Sequence, residues 1–404
     1  MGLNKKQEEG LMKAKYWWNN DTSRPFVLAG IAGSGKSYLM TKIIDTLGLH
    51  ESQVSFIAYT GMAAGVLVKR GINATTIHRT IYNPFVDEKT GEVRFVLKTK
   101  EEFNPEIKLI IIDEISMVPD KMIEEIKQFE IPILVCGDKS QLTPVFGTNS
   151  LIENPDIFLD EPVRQALDNP ILKMANEVRK GEDIEYGSYG DNLQVINSND
   201  LTIDMYKNAD QVLMSYNKTV NQFNSFYRSQ VEGIDIESNP FPKSGEKIIC
   251  LKNNWNKVIT EGNINQYLTN GLIGEITRSG KKNSFTASTQ LDFKPVGFKD
   301  ERFSRIYYDD LIFNGTIRDQ QELFELRKTD NEINKIFKKR YVTTMSNFSM
   351  KVNPFNYAYG ITVHKSQGSE FDNVIVFDEN YSKDRYKSLY TAITRAKKNL
   401  IIVK

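Results

Sequence analysis

Short apolar runs recur along the N-terminal part of the chain at Phe26–Ala29, Val54–Tyr59, Leu109–Ile112 and Ile131–Cys136, with helically spaced segments between them. Runs this short and continuous predict strands buried on both faces. Their alternation with helices predicts a parallel sheet covered on both sides. From Tyr82 to Leu97 the pattern changes. YNPFVDEKTGEVRFVL alternates polar and apolar residues around Thr90-Gly91 and predicts a β-hairpin inserted at about 81–98. A second α/β unit opens with the apolar strand Gln211–Tyr216, and the helix after it carries Val220, Phe223 and Tyr227 on one face. From about Phe241 to Phe348 the pieces are short and strand-like, as at Lys247–Leu251 and at Leu272–Thr277 behind an Asn270-Gly271 turn, with helix around Gln320–Lys338. Val374–Phe377 and Leu400–Val403 return to α/β character. The pattern therefore predicts a first α/β unit over 1–160, a discontinuous second unit over 161–240 and 350–404, and a β-rich insertion over 241–349.

Composition narrows what these units do. At 404 residues the chain exceeds one ordinary domain. Lys+Arg and Asp+Glu both number 52, which argues against wholesale electrostatic binding of nucleic acid but leaves room for a local basic channel. The basic run from Lys383 to Lys404 reads by itself as a solvated helix face. Two cysteines, Cys136 and Cys250, build neither a disulfide framework nor a cysteine-rich zinc site, and His50, His78 and His364 form no metal-type pair. The N-terminus lacks the apolar core of a signal peptide, and no apolar run is long enough to span a bilayer. The expectation is a cytoplasmic protein with no membrane partner.

The strongest chemical signal is Gly30-Ile-Ala-Gly33-Ser34-Gly35-Lys36-Ser37, set between a predicted strand and a predicted helix. This is a complete phosphate-binding loop. Its glycines let the backbone turn its N–H groups toward a triphosphate, Lys36 brings a point charge to the outer phosphates, and the Ser37 hydroxyl suits Mg²⁺. Downstream, the strand Leu109–Ile112 delivers Asp113 and Glu114 at its carboxyl end, where α/β proteins bind ligands. Asp113 is placed to hold Mg²⁺ and Glu114 to activate the attacking water. ATP and Mg²⁺ are the cofactors this pattern calls for.

Beyond these two motifs the chain resembles the superfamily 1 helicases, in their RecD/Dda-like branch. ILVCGDKSQLTPV is similar to the third helicase motif, EPVRQALDNPI to the fourth, YAYGITVHKSQGSEFDNVIV to the fifth and LYTAITRAKKNLIIV to the sixth; LNKKQ resembles the motif that reads adenine. The resemblance covers most of 1–240 and 350–404. It implies two RecA-like P-loop motor domains, with a hairpin insertion in the first and an SH3-like insertion in the second. It also implies ATP-driven movement 5′ to 3′ on single-stranded DNA. Gln7 would meet the adenine edge, Glu370 the ribose and Gln141 the γ-phosphate, and Arg164 and Arg395 would be arginine fingers.

The same resemblance assigns backbone contacts with the DNA strand to Thr60, His78, Thr362, His364 and Lys365. Such contacts position a strand without reading its sequence. Tyr216, at the end of a predicted strand, is a candidate for stacking on a base. Relatives carry a duplex-splitting pin where this chain has its hairpin, and Phe95, with Phe85 second, is the aromatic candidate. The implied partners are single-stranded DNA, forked duplex DNA and a single-strand-binding or replication protein. The chain starts almost at the adenine motif and shows neither a nuclease signature nor a zinc module, which suits a minimal motor or one that takes specificity from a partner. Two other readings stay open at this point: an RNA-directed helicase of the same superfamily, and a nucleic-acid-stimulated P-loop ATPase that does not translocate.

Overall fold

The strand Leu109–Asp113 shows why the first unit folds as it does. Leu109 and Ile111 enter one cluster of buried side chains, and Ile110 and Ile112 enter the cluster on the opposite face. A continuous apolar run is what a strand covered on both faces requires, and each such side chain contributes roughly 2 kcal/mol by leaving water. The computed structural model describes residues 2–86, 93–144, 147–163, 168–260, 266–283, 288–295, 304–308, 320–335, 353–379 and 382–404. Within it, six parallel strands form the first sheet in the order Ala74–Thr76, Val54–Ala58, Leu109–Asp113, Ile133–Gly137, Phe26–Gly30 and Ile157–Leu159. The strand before the phosphate loop and the strand before Asp113 thus flank Ile133–Gly137, and all three end on the same edge.

A second six-stranded sheet runs Gly360–Thr362, Gln211–Met214, Phe371–Phe377, Ala396–Val403, Leu193–Ile196 and Gly187–Ser188. Only the last, short strand is antiparallel. Val220, Phe223 and Tyr227 of the helix Asn217–Phe226 and the π-turn that continues it all pack against this sheet.

Inserted in sequence within the second sheet, between Met214 and Gly360, lies an antiparallel five-stranded sheet in the order Ser304–Tyr308, Ser288–Pro295, Ile273–Asn283, Lys247–Cys250 and Phe355–Tyr357. Phe355–Tyr357 pairs with Lys247–Cys250, so the chain re-enters the second sheet only at Gly360. A buried ion pair joins this sheet to the second unit. Arg228, in the π-turn, donates to both oxygens of Glu246, at 2.6 and 3.2 Å, and also to the carbonyls of Asn239 and Phe241. Its guanidinium lies over the Tyr357 ring at 4.1 Å.

The hairpin consists of Tyr82–Val86 paired antiparallel with Val93–Leu97; its turn, Asp87 to Glu92, lies outside the described residues. The helix expected to reach Lys338 is described as Gln320–Thr329 and a further turn ending at residue 335. Among the described residues no helix is long and apolar enough to cross a membrane.

Candidate active site between the two sheets

The helix Lys5–Asn20 begins with a capping box in which the Asn4 side chain accepts from Gln7 N–H and the Gln7 side chain accepts from Asn4 N–H. Gly10 lets this helix lie against Leu39 of the helix Lys36–Leu47, because a Cβ there would sit 2.9 Å from Leu39 Cδ2. That contact brings Gln7 to the phosphate loop, where its Nε2 donates to the Ser34 carbonyl at 3.2 Å. Gln7 is buried, and its amide keeps one N–H and one lone pair for an adenine edge.

The loop itself fits a phosphate chain. Gly33 and Gly35 take φ of 73° and 83°, a backbone that favours glycine. A Cβ on Gly35 would meet Gln7 Nε2 at 2.5 Å, and one on Gly30 would meet Ser34 Oγ at 2.7 Å. The Ser34 hydroxyl closes the turn onto the Ile31 carbonyl, and Lys36 Nζ donates to the carbonyls of Gly30 and Ile31. Ser37 is exposed on the first turn of the helix that follows.

Asp113 and Glu114 lie at the end of the neighbouring strand. Burial pushes both carboxyls above the usual carboxylate range; the Glu114 N–H and Lys36 oppose this at Asp113, and Arg395 opposes it most at Glu114. Glu114 also holds a left-handed backbone, φ 53° and ψ 47°, which side chains other than glycine rarely adopt. Among the described residues no three His, Cys, Asp or Glu cluster as a metal cage. Asp113 offers a carboxylate and Ser37 a hydroxyl, donors of the kind Mg²⁺ takes alongside phosphate oxygens. Gln141 is buried and its Oε1 has no hydrogen-bond partner, an orphaned acceptor that a water or substrate donor would satisfy.

The second unit closes the site. Arg395 follows the helix Arg385–Ile393 and is held by the Thr391 carbonyl at 3.0 Å, the Ser369 carbonyl at 3.2 Å and the Thr394 hydroxyl at 3.0 Å. Its guanidinium stands 3.9 Å from the Glu114 carboxylate. Glu370, assigned to the ribose, meets Arg70 of the first unit at 3.4 Å beside Asp113. Arg70 went unnoticed in the sequence, as did Tyr390, whose hydroxyl donates to Asp138 and accepts from the Ala32 N–H at 2.9 Å. Burial and the Asp138 carboxylate push that hydroxyl far above the usual tyrosine value, so it stays a donor. Arg164 lies outside the described residues.

The candidate DNA residues divide by packing. Thr60 and Thr362 each cap a helix, accepting from the N–H of Ala63 and Lys365 respectively. His78 is ringed by Tyr59, Tyr82 and Phe95 at 5.6 to 6.0 Å between centroids, and burial lowers its pKa, as it does for His364. Tyr216 remains half exposed at the start of the helix Asn217–Phe226. Part of the basic C-terminal run is paired with acids: Arg385 meets Asp183 and Asp378, and Lys397 and Lys398 share Asp372.

A family model for an AAA domain matches residues 3–200, and one for a UvrD-like helicase C-terminal domain matches residues 357–403. The chain belongs to the superfamily 1 helicases, in their RecD/Pif1-like branch. Two curated relatives are similar to this chain over unequal spans. It is 32% identical to the ATP-dependent RecD2 DNA helicase of Deinococcus radiodurans over 43% of the chain and 24% of the relative. It is 26% identical to MJ1519 of Methanocaldococcus jannaschii over 94% of the chain, and spans 36% of that protein. The crystal structure of the Pif1 helicase from Candida albicans shares the fold, with a TM-score of 0.54 and 18% identity over 100% of this chain and 94% of that one.

Proposed function

We propose that this chain is an ATP-dependent DNA helicase that moves 5′ to 3′ on single-stranded DNA and unwinds duplex ahead of it. Residues 1–160 act as the first motor, and 161–240 with the C-terminal strands as the second. Residues from 241 to Tyr357 ride on the second motor through Arg228 and Glu246. The observation that carries this reading is the approach of Arg395, from the second sheet, to Glu114, from the first. A site built half from each unit can close and open with the nucleotide cycle, which a P-loop switch confined to one unit cannot do.

The phosphate loop and Lys36 orient the triphosphate. Glu114 takes the proton of the attacking water, with Gln141 aligning that water through its orphaned Oε1. Mg²⁺, when bound at Ser37 and Asp113, supplies Lewis-acid polarisation of the phosphate oxygens. Arg395 swings the short distance from Glu114 to the charge that develops on the transferring phosphoryl group, and Arg164 adds a second guanidinium. Thr60 and His78 on one motor, and Thr362, His364 and Lys365 on the other, hold the strand, with Tyr216 stacking on a base. Alternating grip turns closure into a step. Separating one base pair costs about 1.4 kcal/mol in stacking, which one ATP per nucleotide covers.

Forked duplexes with a single-stranded tail on one side only decide the matter. The expected result is ATP-dependent unwinding from a 5′ tail of DNA and none from a 3′ tail. Unwinding confined to RNA tails would favour the RNA-directed reading. DNA-stimulated ATPase without any strand displacement would leave a non-translocating ATPase.

A further inference from the structure

The helix Arg385–Ile393 of the second unit reaches the first unit at two consecutive side chains. Tyr390 places its hydroxyl between the Ala32 N–H of the phosphate loop, at 2.9 Å, and the carboxylate of Asp138. Thr391 accepts from the Leu142 N–H at 3.0 Å, while the Leu142 carbonyl accepts from Gln367 at 3.1 Å. The Thr391 carbonyl in turn holds Arg395 Nε. Tyr390, Thr391, Asp138, Leu142, Gln367 and Arg395 are all buried, and Ala32 is partly buried.

We propose that Tyr390 is a positioning residue for ATP hydrolysis. Its hydroxyl locks the phosphate loop and the Gln141 loop of the first motor to the helix that carries Arg395, and so specifies the closed cleft. The inference rests on the two-motor reading above. Its chemistry is local. Ala32 directly follows the two residues whose carbonyls receive Lys36, so fixing its N–H fixes the floor of the phosphate loop. Asp138 shapes the turn that presents Gln141, accepting from the Ser140 N–H with its side chain and from the Gln141 N–H with its carbonyl. One hydroxyl therefore registers both loops at once. Replaced by phenylalanine, the ring would still fill its space. The Ala32 N–H and one carboxylate oxygen of Asp138 would then lose the partner they share. Opening the cleft gives both groups to water. The Tyr390 ring itself packs in the second unit's core with Leu389, Ala392 and Ile393, and a phenylalanine ring keeps that packing, so the loss falls on closure.

The test compares wild type, Tyr390→Phe and the isosteric Thr391→Val, which removes the acceptor for Leu142. It measures DNA-stimulated kcat, the affinity for mant-ADP, the same affinity with aluminium fluoride added, and the melting temperature. For Tyr390→Phe the expected kcat falls about tenfold or more, as suits a lost hydrogen bond to a buried charge. Binding of mant-ADP alone changes by less than about threefold while the gain on adding aluminium fluoride largely disappears, because only the latter needs the closed cleft. Thr391→Val shows the same pattern more weakly. A kcat within about twofold of wild type for Tyr390→Phe overturns the proposal. So does a parallel fall in kcat, mant-ADP affinity and melting temperature, which marks a structural tyrosine. A wild-type ATPase indifferent to DNA would sink the helicase reading instead, and the aluminium fluoride gain of the variants would still decide the role of Tyr390.

Discussion

Arg395 stands 3.9 Å from Glu114, so the arginine brought by the second sheet rests on a carboxylate carried at the end of a first-sheet strand. The guanidinium is already desolvated and held by three acceptors on its own unit. In the finger role proposed for it, its arrival at a developing negative charge would cost little reorganisation.

Arg395→Ala should cut hydrolysis by about 10³-fold or more, with a far smaller loss of nucleotide affinity, because a finger acts chiefly on transition-state charge. Steady-state ATPase beside mant-ADP titration separates the two effects. Equal and small losses in both would make Arg395 a structural residue.

Glu114 carries a second signature, its left-handed backbone at φ 53°. Holding a residue other than glycine there costs roughly 1–3 kcal/mol, and burial of the carboxylate adds to the expense. Glu114→Gly relieves both. The change also leaves buried Arg395 without the carboxylate 3.9 Å away, as Glu114→Gln does, so the two variants are compared: Glu114→Gly should melt a few degrees above Glu114→Gln at about 1 kcal/mol of backbone relief, while hydrolysis drops about 10²- to 10⁴-fold in both. Glu114→Gly melting clearly below Glu114→Gln would mean that the strained backbone is not the conformation this residue holds.

What the sequence disclosed and what it hid follow one physical rule. The phosphate loop was legible because its chemistry needs neighbouring residues, glycines beside a lysine and a serine. The strands of the two parallel sheets were legible because burial on both faces forces unbroken apolar runs. Tyr390 and Asp138 were not, although both sit inside quoted motifs, since each becomes meaningful only when folding sets it against the other. Arg228 reads as an ordinary helical arginine until Glu246 and Tyr357 enclose it. Phe355–Tyr357 is too short a strand to announce which sheet it joins. The C-terminal basic run looked like a solvated face, and only the fold brings Asp183, Asp372 and Asp378 to it.

Glu246→Ala should be strongly destabilising. It would leave the Arg228 guanidinium buried with carbonyl partners but no counter-charge, a change worth about 3–5 kcal/mol. Chemical denaturation followed by the aromatic signal measures it, and adding Arg228→Met to the same chain should recover a good part of the loss. A double variant no more stable than Glu246→Ala alone would show that the charge is not what made the single change costly.

The hairpin poses the last question, because its two aromatic candidates fall on opposite faces. Phe95 is in register with Pro84, and Phe85 with Arg94. The Phe95 ring lies 5.8 Å from His78 and 6.0 Å from Tyr82, within the aromatic group that surrounds a candidate DNA-contacting histidine. Phe85 is 60% exposed, against 45% for Phe95. Packing of this kind makes Phe95 a support for His78 and shifts the duplex-splitting role toward Phe85, whose face can gain roughly 1–3 kcal/mol by stacking on a base. Phe95→Ala should then lower DNA-stimulated ATPase, strand translocation, forked-duplex unwinding and the melting temperature together, since the support of His78 is lost. Phe85→Ala should leave the first two and the stability nearly unchanged while unwinding of the fork falls about tenfold, the loss expected for a stacking contact of ~1.4 kcal/mol. The opposite pattern, with unwinding alone lost in Phe95→Ala and intact in Phe85→Ala, would return the pin to Phe95.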